Sequence, residues 1–240
     1  MIVLFTDFGA NGPYLGQMEM AIRRIAPSLP VVNLLADAPC FDPRSSAYLL
    51  AALAAEVPEG AVILGVVDPG VGGGRRPIVV RVDGRWLVGP DNGLFEPLIR
   101  RGRDVEAWEI VWRPSQLSCT FHGRDLFAPV AARLAQGQDP DLVELHPIAL
   151  PRQDDWPDDL PLVIYFDHYG NAWTGLRAAA VSGDWIMVGT LRLCRARTFS
   201  DVAAGAAFWY ENSSGLVEVA VNGGRADKLS GLELGAFVTI

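Results

Sequence analysis

The sequence has few of the residues that build disulfide frameworks or metal centres. Its 240 residues include only three cysteines and three histidines. No two cysteines form a CxxC pair, and no two histidines have the close spacing typical of zinc sites. An odd number of widely separated cysteines also argues against a disulfide framework. We therefore expect three reduced, mostly buried thiols and no metal ion. These cysteines are Cys40, Cys119 and Cys194.

The chain also lacks long apolar runs and clusters of positive charge. No run approaches the roughly 18 apolar residues that a membrane-spanning helix needs. The apolar start, residues 1–5, is too short for the hydrophobic region of a secretion signal, and no basic residue precedes it. The net charge of −8 argues against a nucleic-acid-binding surface. We therefore expect a cytoplasmic protein that binds neither membranes nor nucleic acids.

Strand-like and helix-like segments alternate in the first part of the chain. The predicted strands are 2–5, 31–35 and 61–67, and the predicted helices are 13–25, 42–57, 94–100 and 124–135. The helix from 42 has Asp42 as its cap and Pro43 in its first turn, both typical helix-start signals. Because strand and helix alternate, we predict a doubly wound α/β domain at residues 1–148. Asp83-Gly84 predicts a β-hairpin inside this domain.

The second part of the chain has a different pattern. Residues 147–161 are rich in proline and aspartate and indicate a linker. Six short β-prone segments separated by glycine turns follow it. They are 162–166, 172–176, 185–188, 206–210, 216–221 and 236–240. This pattern predicts a small all-β, barrel-like domain at residues 160–240.

Three segments of the first domain place polar residues where a ligand would bind. In open α/β sheets ligands bind at the carboxyl ends of the strands, and Asp7 follows the first predicted strand. Its carboxylate could accept both hydroxyls of a ribose, or it could simply stabilise a turn. Asp68 follows the central strand and starts a glycine-rich loop that could fold Arg75 back onto it. The alternative is a tight turn with an ordinary surface ion pair.

His122 and the segment 167–171 are further candidates. His122 precedes a predicted helix and could act as a base, an orienting group or a structural residue. In the second domain, Tyr169 could stack on a planar base, and Asn171 carries both a donor and an acceptor for adenine. A plain turn rich in aspartate, glycine and asparagine is the competing interpretation.

Five motifs of the first domain and one of the second occur together in a distinctive order. They are Thr6-Asp7-Phe8-Gly9, Asp68-Pro69-Gly70-Val71-Gly72, Pro90-Asp91-Asn92-Gly93, Thr120-Phe121-His122-Gly123-Arg124-Asp125, Phe127-Ala128-Pro129 and the stretch from Asp167 to Asn171. Together they resemble the S-adenosylmethionine hydroxide adenosyltransferase family, the hydrolytic relatives of fluorinase and chlorinase. The resemblance spans essentially the whole chain. It implies cleavage of S-adenosylmethionine by water at C5′, giving adenosine and methionine. S-adenosylmethionine is then a small-molecule substrate, and no cofactor is expected.

The resemblance also implies an assembly and a set of residue roles. It implies a homotrimer with active sites at subunit interfaces, between the first domain of one subunit and the second domain of the next. Asp68, Arg75 and His122 match a catalytic triad around the attacking water. The residues that match substrate-binding positions are Asp7 at the ribose hydroxyls, Phe41 beside the sugar, Tyr169, Asn171 and Asn222 at the adenine, Ser213 near the methionine end, and Asp167.

Two other functions stay open for this sequence. A nucleophilic halogenase would share the scaffold, but the charged Asp68 would repel a halide at the nucleophile position. A protein that binds an adenosyl ligand without turnover would have no need of a water-positioning triad. The chain departs from the family at Gly12, where an acidic residue usually contacts the methionine amine, and at Glu19-Met20, where Lys-Gly is usual. Either another residue supplies that contact or the substrate is a different adenosyl sulfonium.

Overall fold

The computed structural model describes all 240 residues and divides into two compact units, Met1–Gln153 and Asp154–Ile240. The first unit is a mixed α/β domain and the second contains antiparallel sheets, so the predicted fold class is confirmed. The predicted domains 1–148 and 160–240 each lie inside one unit. None of the helices has the length and apolar character required to cross a membrane.

The first unit is built on a seven-stranded sheet. Its strands are β1 (Ile2–Thr6), β2 (Val31–Leu35), β3 (Val62–Val66), β4 (Pro77–Val82), β5 (Arg85–Pro90), β6 (Val105–Ile110) and β7 (Leu145–Pro147). Their order is β2-β1-β3-β5-β4-β6-β7. Strands β2, β1, β3 and β5 are parallel, and β4, β6 and β7 continue the sheet in antiparallel fashion. The predicted hairpin joins β4 to β5, with positive φ at both Asp83 and Gly84.

Helices cover both faces of this sheet. They are α1 (Tyr14–Ile25), α2 (Pro43–Leu53), α3 (Glu96–Arg101) and α4 (Ala128–Ala135). Helices α1 and α4 share one core with Leu4 and Leu64. Phe5 is equally buried and points to the opposite face because side chains alternate along a strand. On that face Gly65 lies against Phe95, which immediately precedes α3.

Two details of the helices affect the candidate site. Asp42 caps α2 as predicted, accepting a hydrogen bond from the Ser45 N–H at 3.0 Å. Helix α4 is preceded by a wide π-helical turn, Gly123–Phe127, directly after His122. Pro129 has no N–H with which to continue a regular ladder, which favours this wider turn. Single π turns of this kind are frequent at functional sites.

The second unit consists of two small antiparallel sheets. Its strands are β8 (Leu160–Phe166), β9 (Ala172–Arg177), β10 (Trp185–Val188), β11 (Leu191–Cys194), β12 (Ala207–Glu211), β13 (Leu216–Val221) and β14 (Val238–Thr239). The sheet orders are β12-β13-β9-β8 and β11-β10-β14. Single bridges, Leu162 to Phe237 and Arg195 to Trp209, join the sheets at both edges, which makes the unit barrel-like.

Short 3₁₀ turns lie between these elements. They are Ala54–Glu56, Pro140–Val143, Ala178–Ala180, Phe199–Asp201 and Ala226–Lys228. The three cysteines are free, but all of them are exposed. The expectation of buried thiols is therefore wrong. Cys40 and Cys119 lie in loops, and Cys194 ends the edge strand β11, so none of them belongs to a core-facing position.

Candidate active site

A cavity of about 320 Å³ opens at the carboxyl ends of β1 and β3. These strands are adjacent and parallel, with Thr6 paired to Val66, so the residues that follow them meet at one edge of the sheet. Four predicted site residues line the cavity, namely Asp7, Phe41, Asp68 and His122. Its other walls include Phe8, Tyr14, Val66, Val71, Thr120, Phe121 and Gly123.

Asp68, Arg75 and His122 form one hydrogen-bonded set. Arg75 Nε lies 3.0 Å from each carboxylate oxygen of Asp68, and Arg75 Nη2 also donates to Oδ2. The same Nη2 lies 3.0 Å from His122 Nδ1. The Arg75 and Asp68 side chains are only 10% and 5% exposed. The structure thus brings together the three residues that the sequence predicts as a triad.

The contact with Arg75 determines the tautomer of His122 and favours its neutral form. A guanidinium can only donate hydrogen bonds, so Nδ1 of His122 must accept. The proton of the neutral ring is then on Nε2. Burial lowers the pKa of His122, and the positive charge of Arg75 lowers it further. At neutral pH the imidazole is therefore uncharged, with Nε2–H as its remaining donor.

The glycine loop after β3 lets Arg75 reach Asp68. Gly72 has φ +77°, and a Cβ at this position would come within 2.5 Å of the Cys119 carbonyl oxygen. Only glycine permits so close an approach between this loop and the segment before His122. The Asn92 amide donates to the Val67 carbonyl at 2.8 Å and holds the end of β3 in place.

Asp7 is tied to the backbone of Phe41. The Phe41 N–H donates to Asp7 Oδ2 at 3.0 Å. Phe41 has φ +58°, which is uncommon for a bulky residue and is a form of backbone strain found at functional sites. Its side chain is 78% exposed. Burial raises the pKa of Asp7, whereas the hydrogen bond from Phe41 lowers it.

Three aromatic rings form one wall of the cavity, and the sequence reasoning missed them as site residues. Phe8, Tyr14 and Phe121 are in mutual contact, with centroid distances of 5.4 to 5.8 Å. The available signal was that Phe8 and Phe121 directly adjoin Asp7 and His122 in the chain, whereas Tyr14 has no such neighbour. Gly12 borders this wall, because a Cβ there would lie 3.4 Å from the Tyr14 ring.

The second unit has its own open cavity of about 600 Å³. It is lined by Asp167, Tyr169, Asn171, Trp173, Phe199, Tyr210, Asn212, Ser213, Glu218, Val221, Gly223 and Gly224. Four predicted site residues are among these. Asn222 is not, and its amide donates to the Val202 carbonyl at 2.8 Å, an interaction that holds a loop.

The turn between β8 and β9 presents the predicted adenine-site residues. Asp167 accepts the Asn171 backbone N–H at 2.9 Å and its side-chain amide at 3.3 Å. Arg225 lies against Gly170 and donates to the His168 carbonyl at 3.0 Å. Asp167 and Arg225 therefore both hold the turn in place, while the Tyr169 ring is 72% exposed.

Glu218 is a buried carboxylate that sequence reasoning missed. It is 2% exposed and accepts hydrogen bonds from the Tyr210 hydroxyl and, at 2.9 Å, from the Asn212 amide. Burial raises the pKa of Glu218 above its ordinary value. The available signal was a single glutamate inside the otherwise apolar strand β13.

Fold and site together define a two-domain, small-molecule-binding protein with a carboxylate–guanidinium–imidazole set at the carboxyl edge of a mixed sheet. Residues 2–144 match the SAM hydroxide adenosyltransferase N-terminal domain, and residues 162–239 match the C-terminal domain of the same family. The chain belongs to the SAM hydroxide adenosyltransferase family.

Individual relatives agree with this assignment. The chain is 40% identical to an (R)-S-adenosyl-L-methionine hydrolase of Thermus thermophilus, over 100% of this chain and 98% of the relative. It is 36% identical to a protein of the same name from Salinispora arenicola, over 93% and 91%. A crystal structure of an uncharacterized conserved protein from Thermotoga maritima superposes with a TM-score of 0.89 at 29% identity, covering 99% and 98% of the chains.

Proposed function

We propose that this protein hydrolyses S-adenosylmethionine at C5′ to give adenosine and methionine. Family membership and the names of full-length relatives support this activity. The observation that carries it is the hydrogen-bonded set of Asp68, Arg75 and His122, of which Asp68 and His122 line the same cavity as Asp7. Such a set is suited to holding one water molecule in a fixed position.

In the proposed reaction the oxygen of water attacks C5′ while the C5′–S bond breaks. The bonding electrons go to sulfur, so the sulfonium becomes the neutral thioether of methionine and no general acid is needed. The attacking water loses one proton. Asp68 is the proposed acceptor, because Arg75 occupies Nδ1 of His122 and leaves that ring a donor. His122 Nε2–H and Arg75 then orient the water and stabilise its developing charge.

The remaining site residues are proposed to hold the substrate. Asp7 binds the ribose hydroxyls, and Phe41 lies beside the sugar. Tyr169 and Asn171 contact the adenine, as does Asn222 through the part of its side chain not committed to Val202. Ser213 lies near the methionine end, and Asp167 takes part by holding Asn171 through two hydrogen bonds.

We also propose that the protein is a homotrimer, with each active site formed by the first unit of one subunit and the second unit of its neighbour. Each unit carries only part of the required chemistry. Asp7, Asp68 and His122 line one cavity, and Tyr169 and Asn171 line the other. Phe41 and Tyr169, one from each cavity, are large and exposed aromatic residues. Free, exposed cysteines suit a reducing compartment, so a cytoplasmic location is proposed as well.

The experiment that tests this function is chromatography of the purified protein after incubation with S-adenosylmethionine. Both sulfonium epimers are supplied, because the relatives' name specifies the R form. Parallel samples contain chloride or fluoride. We expect adenosine and methionine in every sample. A halogenated nucleoside would instead indicate a halogenase, and a bound but intact ligand would indicate a binding protein.

A further inference from the structure

The Pro90-Asp91-Asn92-Gly93 motif lies where the loop that carries Asp68 and Arg75 crosses the sheet. Strand β5 lies between β3 and β4 in the sheet order. Strand β4 begins at Pro77, which is paired with Pro90 at the end of β5. The loop from β3 to β4 must therefore pass over the end of β5, a distance of two strand spacings or roughly 10 Å. The motif begins at this crossing.

Asn92 holds the first end of this loop. Val67 is buried and lies one residue beyond β3, and its carbonyl accepts a hydrogen bond from the Asn92 amide at 2.8 Å. The side-chain oxygen of Asn92 accepts the Leu94 N–H at 3.3 Å. Because only the amide nitrogen donates and only the oxygen accepts, these two partners fix the orientation of the carboxamide. Asp68 follows Val67 directly, so the bond to Val67 determines where Asp68 starts.

The other end of the loop is held by backbone atoms. The Asp91 N–H donates to the carbonyl of Arg76, which directly follows Arg75, at 2.9 Å. The Arg76 guanidinium also pairs with Asp91, but it is 45% exposed, and exposed pairs contribute little. Four of the eight residues 68–75 are glycines, so the loop has many accessible backbone conformations. Fixed ends reduce the number of conformations in which Asp68 and Arg75 stay apart.

We propose that Asn92 is a positioning residue, which fixes the start of the loop so that Asp68 meets Arg75 in the geometry that the reaction needs. The inference rests on the proposed function, which places the attacking water at this pair. Asn92 is not among the residues that line the cavity, so it acts through Val67 and the loop. A misplacement of reacting groups by about 1 Å lowers a rate by up to about 100-fold.

Two variants separate the contact of Asn92 with Val67 from its local contact with Leu94. Asn92→Ser keeps an acceptor for the Leu94 N–H, because a serine hydroxyl forms the same kind of turn, but it is too short to reach the Val67 carbonyl. Asn92→Leu keeps the approximate size of the side chain and loses both bonds. We expect each variant to lower kcat at least about fivefold, with KM within about twofold of wild type.

Arg85→Met is the matched control, at the opposite end of β5. Arg85 Nε donates to the Val57 carbonyl at 2.8 Å, which is also a bond from a side chain to the carbonyl of a buried residue. The variant removes this donor without touching the loop 68–75. We expect a lower melting temperature, because the Val57 carbonyl loses its donor, and an unchanged kcat.

His122 supplies a readout that does not depend on turnover. Burial and the positive charge of Arg75 lower the pKa of His122, so displacement of Arg75 from Nδ1 should let this pKa rise towards 6.5. The chain has only three histidines, so NMR titration of histidine-labelled protein follows each ring, and His122→Asn identifies its signal. We expect the rise in both Asn92 variants and not in Arg85→Met. The charged groups that act on the ring are Arg75, Asp68, Arg113 and Asp125.

The experiment combines steady-state kinetics with S-adenosylmethionine, thermal unfolding and the histidine titration, for wild type and the three variants. A lower kcat and a raised His122 pKa in both Asn92 variants, with neither in Arg85→Met, support the inference. It is overturned if Asn92→Ser leaves either quantity unchanged, or if Arg85→Met shows the same changes. Should Asn92→Leu fail to fold, Asn92→Ser alone decides. A wild type without turnover would refute the proposed hydrolysis, and the histidine titration would then decide this inference.

Discussion

Arg75 makes both contacts that hold the proposed triad together. Its guanidinium spans the two oxygens of Asp68 and reaches Nδ1 of His122. Its face also lies over the Phe127 ring, with Cζ 5.3 Å from the centroid. A planar, five-donor group can satisfy these partners at once, whereas an ammonium group acts as a point charge. Geometry, and not charge alone, is therefore what Arg75 contributes.

Arg75→Lys tests this directly. The variant keeps the positive charge but loses the paired hydrogen bonds, so we expect kcat/KM for S-adenosylmethionine to fall roughly 10- to 100-fold, mostly through kcat. Arg76→Lys is the matched control, because Arg76 is exposed and pairs with Asp91 away from the triad. It should stay close to wild type. Equal effects of the two variants in steady-state kinetics would contradict the proposed role.

The lowered pKa of His122 has a consequence for the pH profile. Protonation would turn Nδ1 into a donor facing Arg75 and would break their hydrogen bond. Because burial and Arg75 hold this pKa below 6.5, the neutral form persists to more acid pH than for an ordinary histidine. The contribution of the neutral His122 ring to stability and activity is thus present above pH 6.5 and is lost as pH falls through the lowered pKa.

We therefore expect kcat/KM to decline only below pH 6.5. Asp68 and Asp125 favour the charged ring, while Arg75 and Arg113 oppose it. Asp7 also titrates in the acid range, and a profile of His122→Asn separates the two contributions. The contrary outcome is a wild-type kcat/KM that already declines above pH 6.5, with no such decline in His122→Asn. It would show that the imidazole is not held neutral as described.

At the scale of elements, the loop after β3 determines whether the triad can form. Gly72→Ala would introduce a Cβ 2.5 Å from the Cys119 carbonyl oxygen at a residue with φ +77°. We expect a loss of about 1–3 kcal/mol in the free energy of unfolding and at least a tenfold loss of kcat/KM. Urea unfolding and steady-state kinetics measure the two effects.

Gly74→Ala is the matched control for this loop. Gly74 has no positive φ, and a Cβ there would meet nothing within 4 Å. This variant should retain both stability and activity. If it proves as damaging as Gly72→Ala, general flexibility of the loop, and not its close approach to Cys119, is the requirement.

Elements with strong local signals could be predicted from the sequence. The Asp42 cap, the Asp83-Gly84 turn and the apolar run of β3 each specify a structure within a few residues. Strands β6, β7 and β11 were missed, because β6 carries exposed charges and the other two have four residues or fewer. Their pairing depends on neighbours distant in the chain.

The same distinction applies to the candidate site. Asp7 and Asp68 were predictable, because strand ends at one edge of a parallel sheet must meet. The buried hydrogen bonds of Glu218 were not, because they depend on Tyr210 and Asn212, which come from a different strand and the turn after it. The close contact of Arg75 with His122, 47 residues apart, also depends on how the loop folds back and could be suggested only by resemblance.

At the scale of the whole molecule, the proposed shared active site predicts complementation. His122→Ala damages the first unit and Asn171→Ala damages the second, so each variant alone should be nearly inactive. When the two are co-expressed and assemble at random into trimers, about a quarter of the sites combine two intact units. Activity of the mixed preparation should recover accordingly. An inactive mixture, with both variants folded and trimeric by light scattering, would place the site within one chain.

The two sheets of the second unit meet at two seams, one at Leu162 and Phe237 and the other at Arg195 and Trp209. Each seam has only one β-bridge. Local opening starts where the fewest backbone hydrogen bonds must break, so transient fluctuations of this unit should begin at those seams. Glu218 lies on β13 and Asn171 directly precedes β9, and these two strands are the inner strands of the sheet β12-β13-β9-β8, so neither of them forms a seam. The seam strands can therefore open locally while the two inner strands, which carry part of the proposed base-binding surface, stay paired.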